Sequence, residues 1–266
     1  MIIGTFQTKD ENTLYKVIES AFKSHIYSFD TAPSYQTEEL LGSIILQLAE
    51  KYSIYRGKIQ INDKIDDGQM YESKGHIRKY VEEALIKMKI DYIDTLFIHW
   101  PFERYLYETW DCVNNLKKEG IIKKAGLCNV RVRHLRKIIE ATNMKPDVIQ
   151  IERHPLRTCN EEVKFCKENT IDIQAYSPLC RMHDDLKNSK VLNDIANKYT
   201  KSIAQIILRW HVDTGVTPVF MTTKPERIIE NSDIFNFFLN KDDITAINSL
   251  DINFKLFLES YCCPGF

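Results

Sequence analysis

The fold class that this sequence predicts is a parallel (β/α)8 barrel. Two features of the 266-residue chain lead to that prediction: eight short apolar runs alternate with helical patterns, and polar residues follow several of the runs. Such alternation is typical of parallel strands joined by helical crossovers, and eight units favour a closed barrel. No linker rich in Gly, Ser or Pro divides the chain. We therefore predict one domain over residues 1–266, with a C-terminal tail from about residue 251.

The predicted strands are short and each is followed by a helical pattern. They are Met1 to Gly4, Tyr27 to Phe29, Ile59 to Asn62, Thr95 to Ile98, Lys124 to Leu127, Val148 to Ile151, Ile171 to Ala175 and Pro218 to Phe220. The helix before the fourth strand shows the helical period most clearly. Its apolar residues recur at i, i+3, i+4, i+7, i+8 and i+11, namely Ile77, Tyr80, Val81, Ala84, Leu85 and Met88. This stripe predicts that one face of the helix packs against a sheet.

Composition and charge exclude several classes of protein. The hydrophobic content of 44% is ordinary for a globular domain, and a net charge of −1 gives no electrostatic case for binding nucleic acid or an anionic membrane. No apolar run approaches the roughly 18 residues of a membrane span, and the start of the chain lacks the charged and apolar regions of a signal peptide. We therefore expect a cytoplasmic monomer with no nucleic-acid or membrane partner.

The cysteines and histidines predict no metal site. The seven cysteines are odd in number and show no CxxC spacing, so they indicate neither a disulfide framework nor a zinc site. Two of them, Cys262 and Cys263, lie in the predicted tail, and no His pair has metal-ligand spacing.

Four polar residues stand at or just past the predicted strand ends, and they are Asp30, Tyr35, Lys64 and His99. The carboxyl ends of barrel strands meet at one face of the fold, so we expect these side chains to gather there. A phenol, an ammonium, a carboxylate and an imidazole together suit proton transfer to a carbonyl oxygen. Each residue alone is more often structural, because buried ion pairs and core histidines are common. The prediction of catalysis therefore depends on the occurrence of all four residues together.

Six ordered motifs surround these residues, and the resemblance that they carry runs from Gly4 to about Leu250. They are Phe29-Asp-Thr-Ala-Pro-Ser-Tyr35 followed by Glu38 and Gly42, Asp91-Tyr-Ile-Asp-Thr-Leu-Phe-Ile-His-Trp-Pro101, Gly126-Leu-Cys-Asn129, Gln150-Ile-Glu-Arg-His-Pro155, Ala175-Tyr-Ser-Pro-Leu179 and Lys224-Pro-Glu-Arg-Ile-Ile-Glu-Asn231. In these motifs the chain resembles the aldo-keto reductase family, and in particular its small bacterial members of the diketogluconate reductase type. The resemblance implies reduction of an aldehyde or ketone to an alcohol with NAD(P)H.

Each of the four polar residues has an expected role in this reduction. Tyr35 is the expected general acid, and a free phenol has a pKa near 10, which is high for proton donation near neutrality. We expect Lys64 to lower this pKa and Asp30 to hold Lys64 in place. His99 is expected to donate a hydrogen bond to the carbonyl oxygen. Phe6 and Trp100 are candidate apolar walls of the substrate pocket, with simple packing as the alternative.

Cofactor binding is predicted from the resemblance, because none of the nine glycines forms a GxGxxG or Walker loop. The absence of Tyr-x-x-x-Lys excludes the short-chain dehydrogenases. The resemblance implies that NADPH, with NADH as a second option, contacts Gly4, Thr5, Cys128, Asn129, Gln150, Tyr176, Ser177, Leu179, Thr222, Arg227, Glu230 and Asn231. Within this set, Asn129 and Gln150 bind the carboxamide, Tyr176 stacks on the nicotinamide, and Arg227 meets the 2′-phosphate. A core position for Tyr176 and a helix ion pair between Arg227 and Glu230 remain alternatives.

Two positions depart from the family pattern. Met221 stands where the family often has a Lys that pairs with the 2′-phosphate, and Thr222 replaces the usual Ser. Lys224 is close enough in sequence to substitute, so we expect only a modest preference for NADPH. The chain also begins at the first barrel strand, without the N-terminal hairpin that usually closes the barrel floor.

The substrate is less well determined than the reaction. Specificity is expected in the loops 102–106 and 180–188 and in the tail, and Arg104, Arg153 and Arg181 are candidates for contact with an acidic substrate. Two other functions remain open. One is a non-catalytic nucleotide-binding subunit of the kind that accompanies ion channels, which the intact catalytic set disfavours. The other is a redox-neutral rearrangement or dehydration that uses bound nicotinamide internally, and net NADPH oxidation distinguishes reduction from it.

Overall fold

Eight parallel strands form a closed barrel in which each strand pairs with its neighbours in sequence and β8 pairs with β1. The structure is a computed structural model and describes residues 1–258. The strands are β1 Ile2–Gly4, β2 Ser28–Asp30, β3 Gln60–Ile65, β4 Ile93–Ile98, β5 Ile122–Cys128, β6 Val148–Glu152, β7 Asp172–Tyr176 and β8 Thr217–Phe220. The predicted (β/α)8 barrel is confirmed, and within residues 1–258 no hairpin precedes β1.

Helices follow every strand and pack against the barrel. They are α1 Glu11–Lys23, α2 Glu38–Tyr52, α3 Asp67–Glu72, α4 Arg78–Met88, α5 Leu106–Lys118, α6 Val132–Thr142, α7 Asn160–Asn169, α8 Asp184–Lys187, α9 Lys190–Tyr199, α10 Ile203–Asp213, α11 Pro225–Ser232 and α12 Lys241–Asn248. Short 3-10 helices span Pro33–Tyr35, Arg56–Lys58 and Cys180–Met182. None of the helices within residues 1–258 combines the length and the apolar character that a membrane crossing requires.

All eight predicted strands are present, but one of the four polar residues lies elsewhere than expected. Asp30 is the last residue of β2 and His99 directly follows β4. Lys64, however, lies inside β3, where it pairs with Phe97 of β4. An inward polar side chain does not end a strand, because the backbone hydrogen bonds continue past it. The prediction that Lys64 follows the strand is therefore wrong, because the strand ends at Ile65, three residues later than predicted.

The apolar stripe predicted for α4 is confirmed. Gly42 of α2 explains how closely α2 packs against the end of α4. Val81, Ala84 and Met88 of α4 are buried. A Cβ atom added at Gly42 would lie 2.2 Å from the carbonyl oxygen of Met88. Only a residue without a side chain allows this approach between α2 and the end of α4.

The chain after α12 returns to the mouth of the barrel. The backbone N–H groups of Leu256 and Phe257 donate to the buried carboxylate of Glu152 at 2.7 and 3.1 Å. Residues 251–258 are thereby held on the barrel. The two cysteines of the predicted tail, Cys262 and Cys263, lie outside the described residues. The boundary between barrel and tail at about residue 251 stays a prediction.

Candidate active site

A cavity of about 770 Å3 opens at the carboxyl ends of the strands. This volume lies within the range of about 300–1,000 Å3 that is usual for ligand and cofactor sites. Most of the residues that the sequence assigns to the site line it, namely Gly4, Phe6, Asp30, Tyr35, His99, Trp100, Cys128, Asn129, Gln150, Tyr176, Ser177, Leu179, Thr222 and Arg227. The barrel therefore gathers residues from distant parts of the sequence around one space.

Four of the assigned residues do not line this cavity: Lys64, Thr5, Glu230 and Asn231. Thr5 is fully buried, and its hydroxyl donates to the Asp30 carbonyl oxygen at 3.1 Å and lies 2.7 Å from the Thr37 hydroxyl. Asn231 is also buried, whereas Glu230 is exposed on α11. Contact between these three residues and a cofactor stays a prediction.

A buried ion pair joins β2 and β3 beside the cavity. The Nζ atom of Lys64 donates to Asp30 Oδ1 at 2.6 Å and to the Thr31 carbonyl oxygen at 2.8 Å. The two side chains are only 1% and 4% exposed. Burial lowers the pKa of Lys64, but the Asp30 carboxylate more than offsets this, so that the pKa is raised above its ordinary value. Lys64 is therefore a permanent positive charge in this site.

Tyr35 ends the 3-10 helix that follows β2, and its ring centroid lies 4.6 Å from Lys64 Nζ. Burial raises the pKa of Tyr35 to about 12, and the nearby Lys64 lowers it only in part. The expectation of a pKa below that of a free phenol is therefore wrong, because the cost of desolvating the phenolate exceeds the attraction of Lys64. The phenol keeps its proton at neutral pH, which is the form that a proton donor requires.

The ring of His99 faces the cavity and contacts Asp66, Tyr35 and Trp100. Its Nδ1 atom lies 2.5 Å from Asp66 Oδ1, and its ring makes an edge contact with Tyr35 at 5.9 Å between centroids. Burial raises the pKa of Asp66, but hydrogen bonds from His99 and Ser34 bring it below the ordinary value. Asp66 is not among the residues predicted from the sequence, and its place directly after β3 is the one signal that marks it.

Buried amides connect Asp30 to the other side of the barrel. Gln150 Nε2 donates to Asp30 Oδ2 at 2.7 Å and to Gln174 Oε1 at 3.0 Å, and Asn62 Nδ2 donates to that same Gln174 oxygen at 2.8 Å. A carboxylate only accepts hydrogen bonds, so Asp30 determines which end of the Gln150 amide faces it. The Oε1 atom of Gln150 is left as an acceptor beside Cys128, whose Sγ lies 4.0 Å away. Gln174 and Asn62 are not among the residues predicted from the sequence, and only their inward positions on β7 and β3 mark them.

Asn129 and Tyr176 form a second polar contact on the cavity wall. The Tyr176 hydroxyl donates to Asn129 Oδ1 at 2.7 Å, and Asn129 Nδ2 donates to the His99 carbonyl oxygen at 2.9 Å. The Tyr176 ring also meets Phe257 edge-on, with 5.7 Å between centroids. Tyr176 therefore lines the cavity and is not a simple core residue. Phe257 also lines the cavity, although the sequence predicted it only as part of the C-terminal tail.

Three further residues that the resemblance assigns to cofactor binding, Ser177, Leu179 and Arg227, line the same cavity. Ser177 has a left-handed backbone with φ 47°, and it precedes Leu179 on the loop after β7. Among the described residues Arg227 forms no ion pair, which contradicts the alternative of a helix pair with Glu230. Met221 lines the cavity, whereas Lys224 does not, which argues against the expectation that Lys224 substitutes for the missing lysine.

Of the three arginines proposed for an acidic substrate, only Arg181 lines the cavity. Arg153 is 1% exposed and lies 3.8 Å over the Trp210 ring, with Nη1 2.9 Å from His211 Nδ1. Its assignment to the substrate is therefore wrong, because the residue after β6 turns into the protein rather than into the cavity. Arg104 lies against Tyr71, to whose hydroxyl it donates at 2.7 Å.

Comparison with known proteins decides which family these features represent. The sequence model of the aldo/keto reductase family matches residues 1–252. The chain belongs to this family. It is therefore an NAD(P)H-dependent oxidoreductase of the aldo/keto reductase type.

Named relatives and solved structures agree with this membership. Glyoxal reductase of Bacillus subtilis is 35% identical, over 94% of this chain and 87% of the relative. Methylglyoxal reductase of Escherichia coli is 33% identical, over 94% of this chain and 88% of the relative. An aldo-keto reductase of Bombyx mori, solved in complex with NADP, superposes with a TM-score of 0.89 at 25% identity, over 98% of this chain and 92% of the other.

Behind the ion pair of this aldo/keto reductase lie two buried carboxyl groups, Asp63 of β3 and Glu38 of α2. Within residues 1–258, Asp63 Oδ1 and Glu38 Oε1 have no hydrogen-bond partner. Burial raises the pKa of both groups, and the Lys87 ammonium 3.4 Å from Glu38 offsets this only in part. A carboxyl group in such surroundings favours its neutral form.

This arrangement predicts that Asp63→Asn stabilises the protein at neutral pH. When the pKa of an acid is higher in the folded protein than in the unfolded chain, its contribution to the free energy of unfolding is fully present below the unfolded pKa of about 4. This contribution is lost as pH rises towards the folded-state pKa. The variant cannot ionise, so its free energy of unfolding at pH 7 should exceed that of the wild type by more than about 1 kcal/mol. Urea denaturation at about pH 5 and pH 8 measures this, with a larger gain expected at the higher pH.

The exposed neighbour Asp67 provides the control, since Asp67→Asn removes a charge without relieving a buried one. This variant should leave the pH dependence of unfolding unchanged. Destabilisation by Asp63→Asn of equal size at both pH values would contradict the prediction.

Proposed function

We propose that this protein reduces a small aldehyde or ketone to an alcohol with NADPH, NADH being the weaker second option, and that Tyr35 is the general acid. The observation that supports the proposal most is that one cavity is lined both by Tyr35 and His99 and by Tyr176 and Arg227. A reacting carbonyl and an extended nucleotide therefore have adjoining places. The relatives named glyoxal and methylglyoxal reductase point to small carbonyl compounds.

The residues present fit a nicotinamide cofactor. Gln150 offers an acceptor oxygen to a carboxamide N–H, because its Nε2 is committed to Asp30 and Gln174. The Tyr176 ring lines the cavity with its hydroxyl held by Asn129, so its orientation is set before any ligand enters. Arg227 has no carboxylate partner among the described residues and is free to meet a phosphate.

Bound NADPH supplies the hydride that the carbonyl carbon receives. Tyr35 donates its hydroxyl proton to the carbonyl oxygen, and Lys64 stabilises the phenolate that remains. Asp30 keeps Lys64 within 2.6 Å of its carboxylate and so fixes the position of the positive charge. His99 orients the substrate through a hydrogen bond to the same oxygen. Phe6 and Trp100 form apolar walls for the substrate, and Phe257 adds a third.

Oxidation of NADPH in the presence of a panel of carbonyl compounds tests this function. Glyoxal and methylglyoxal belong in the panel because relatives carry those names. We expect loss of NADPH absorbance and formation of one alcohol for each NADPH consumed. Conversion of a substrate without net NADPH oxidation would instead support the redox-neutral alternative, and nucleotide binding without any turnover would support the non-catalytic subunit.

The cavity also predicts the cofactor preference. Arg227→Ala should weaken the binding of NADPH by about 1.5 kcal/mol. This is the lower end of the range for hydrogen bonds to charged groups, and we use it because Arg227 is exposed. NADH, which has no 2′-phosphate, should bind almost as before, and Met221→Lys should increase the preference for NADPH. Fluorescence quenching of Trp100 in the cavity measures these affinities.

Lys224→Ala is the matched control, because the Lys224 side chain does not line the cavity. It should change neither affinity. Equal weakening of NADH and NADPH by Arg227→Ala would mean that Arg227 does not bind the 2′-phosphate. The monomeric state and the cytoplasmic location stay predictions.

A further inference from the structure

Asp66 and His99 form a side-chain pair at the cavity, which His99 lines. Both side chains are largely buried, with exposed fractions of 17% and 15%. The Ser34 backbone N–H donates to Asp66 Oδ2 at 2.8 Å, and the Ser34 hydroxyl donates to Oδ1 at 3.3 Å. Asp66 Oδ1 is also the atom that lies 2.5 Å from His99 Nδ1. The carboxylate is thus held in one orientation, with one oxygen on the imidazole.

This contact determines where the imidazole carries its proton. A carboxylate can only accept, so the His99 Nδ1 atom must carry the hydrogen that lies between them. A neutral imidazole has a single N–H, which leaves Nε2 as an acceptor. A carbonyl oxygen is an acceptor as well. Neutral His99 therefore has no hydrogen to offer a carbonyl oxygen from Nε2, and it gains one only when the ring is doubly protonated.

We propose that Asp66 is a positioning residue that allows His99 to donate a hydrogen bond to the substrate carbonyl only as an imidazolium. The value of kcat/KM for carbonyl reduction therefore falls when His99 loses its second proton. The proposal rests on the proposed function, because it needs a carbonyl oxygen at His99. It differs from a simple structural role for Asp66 in one respect. It predicts a loss of activity on the alkaline side that disappears when one carboxylate oxygen of Asp66 is replaced by an amide nitrogen.

The other titratable groups around His99 do not account for such a loss. Tyr35 has a pKa raised to about 12 by burial, and burial also raises the pKa of the Cys128 thiol on the cavity wall. Lys64, beside the Tyr35 ring, has a pKa raised by Asp30 and keeps its charge. Asp66 has a lowered pKa and is already ionised.

Asp66→Asn tests the proposal because Ser34 fixes how the new amide lies. The Ser34 N–H needs an acceptor, so the amide oxygen takes the Oδ2 position and the amide nitrogen takes the Oδ1 position facing His99. The amide then donates to Nδ1, and the neutral imidazole carries its hydrogen on Nε2. Neutral His99 can now donate to the substrate.

The measurement is kcat/KM for carbonyl reduction against pH at saturating NADPH. In the wild type we expect a loss on the alkaline side, and in Asp66→Asn we expect no such loss. Where the His99 ring is neutral, the variant should exceed the wild type by about fivefold, the worth of one hydrogen bond. Where the ring is doubly protonated, the wild type should be faster, since its imidazolium is the stronger donor. The exposed neighbour variant Asp67→Asn should keep the wild-type profile.

Nitrogen-15 NMR of histidine-labelled protein provides a measurement that does not depend on activity. The His99 signals, assigned with His99→Asn, should show hydrogen on Nδ1 in the neutral wild type and on Nε2 in neutral Asp66→Asn. Parallel pH profiles for the two proteins, or hydrogen on Nε2 in the wild type, would overturn the proposal. If the wild type reduces no carbonyl compound, the proposed function fails, and the NMR result still decides whether Asp66 sets the tautomer.

Discussion

Tyr35→Phe is expected to remove nearly all turnover and to leave cofactor affinity almost unchanged. The substitution deletes only the hydroxyl, so the ring keeps its edge contacts with Phe6, at 5.1 Å between centroids, and with His99, at 5.9 Å. A general acid contributes about 10²–10⁴ to the rate, and its effect arises in the transition state. The loss should therefore appear in kcat, whereas nucleotide binding depends on other residues of the cavity.

Single-turnover kinetics and nucleotide titration by Trp fluorescence separate these two quantities. Tyr55→Phe is the matched control, because Tyr55 is 67% exposed and does not line the cavity. It should be indistinguishable from the wild type. If Tyr35→Phe keeps more than about a tenth of the wild-type kcat, on the scale of general-acid effects, Tyr35 is not the proton donor.

Lys64→Met should both inactivate and strongly destabilise the protein. The substitution removes the ammonium partner of Asp30, whose side chain is 4% exposed, and leaves Gln150 as a side-chain donor to the carboxylate. Breaking a buried ion pair at one partner costs about 3–5 kcal/mol, because an uncompensated charge stays in the interior. The phenolate of Tyr35 would lose its positive neighbour as well, so kcat should fall even where the variant is folded.

The double variant Asp30→Leu with Lys64→Met distinguishes these two effects. It removes both charges, so much of the free energy of unfolding should return, since apolar replacements of buried ion pairs are often neutral or stabilising. Activity should stay low, because the tyrosine still lacks its cation. Urea denaturation at neutral pH and steady-state kinetics provide the two measurements.

Lys79→Met is the control for the loss of a lysine. Lys79 is 76% exposed and lies 3.7 Å from Glu83 on the same helix face, so its loss should cost less than about 0.5 kcal/mol. A cost for Lys64→Met as small as that of the control would show that the buried pair does not stabilise this barrel.

The sequence by itself determined the barrel and where its chemistry would gather. Short apolar runs alternating with a 3.6-residue pattern are local signals, and they placed Asp30 and His99 at strand ends that meet at one face. The ordered motifs brought in Tyr35, Asn129, Gln150 and Tyr176, which line the cavity together. The barrel could be predicted because the alternating runs are signals that depend on neighbouring residues. The roles of the residues that line the cavity stay predictions.

The tertiary structure decided which side chains touch and how much water they lose. The partners of His99 and Gln150 are Asp66 and Gln174, which lie 33 and 24 residues away in sequence, and no local pattern pairs them. Desolvation set the pKa of Tyr35 to about 12, although a neighbouring lysine alone suggested a decrease. Burial against Trp210 likewise took Arg153 out of the site. Contacts between distant residues, and the balance of burial against charge at each of them, arise only when the strands close into the barrel.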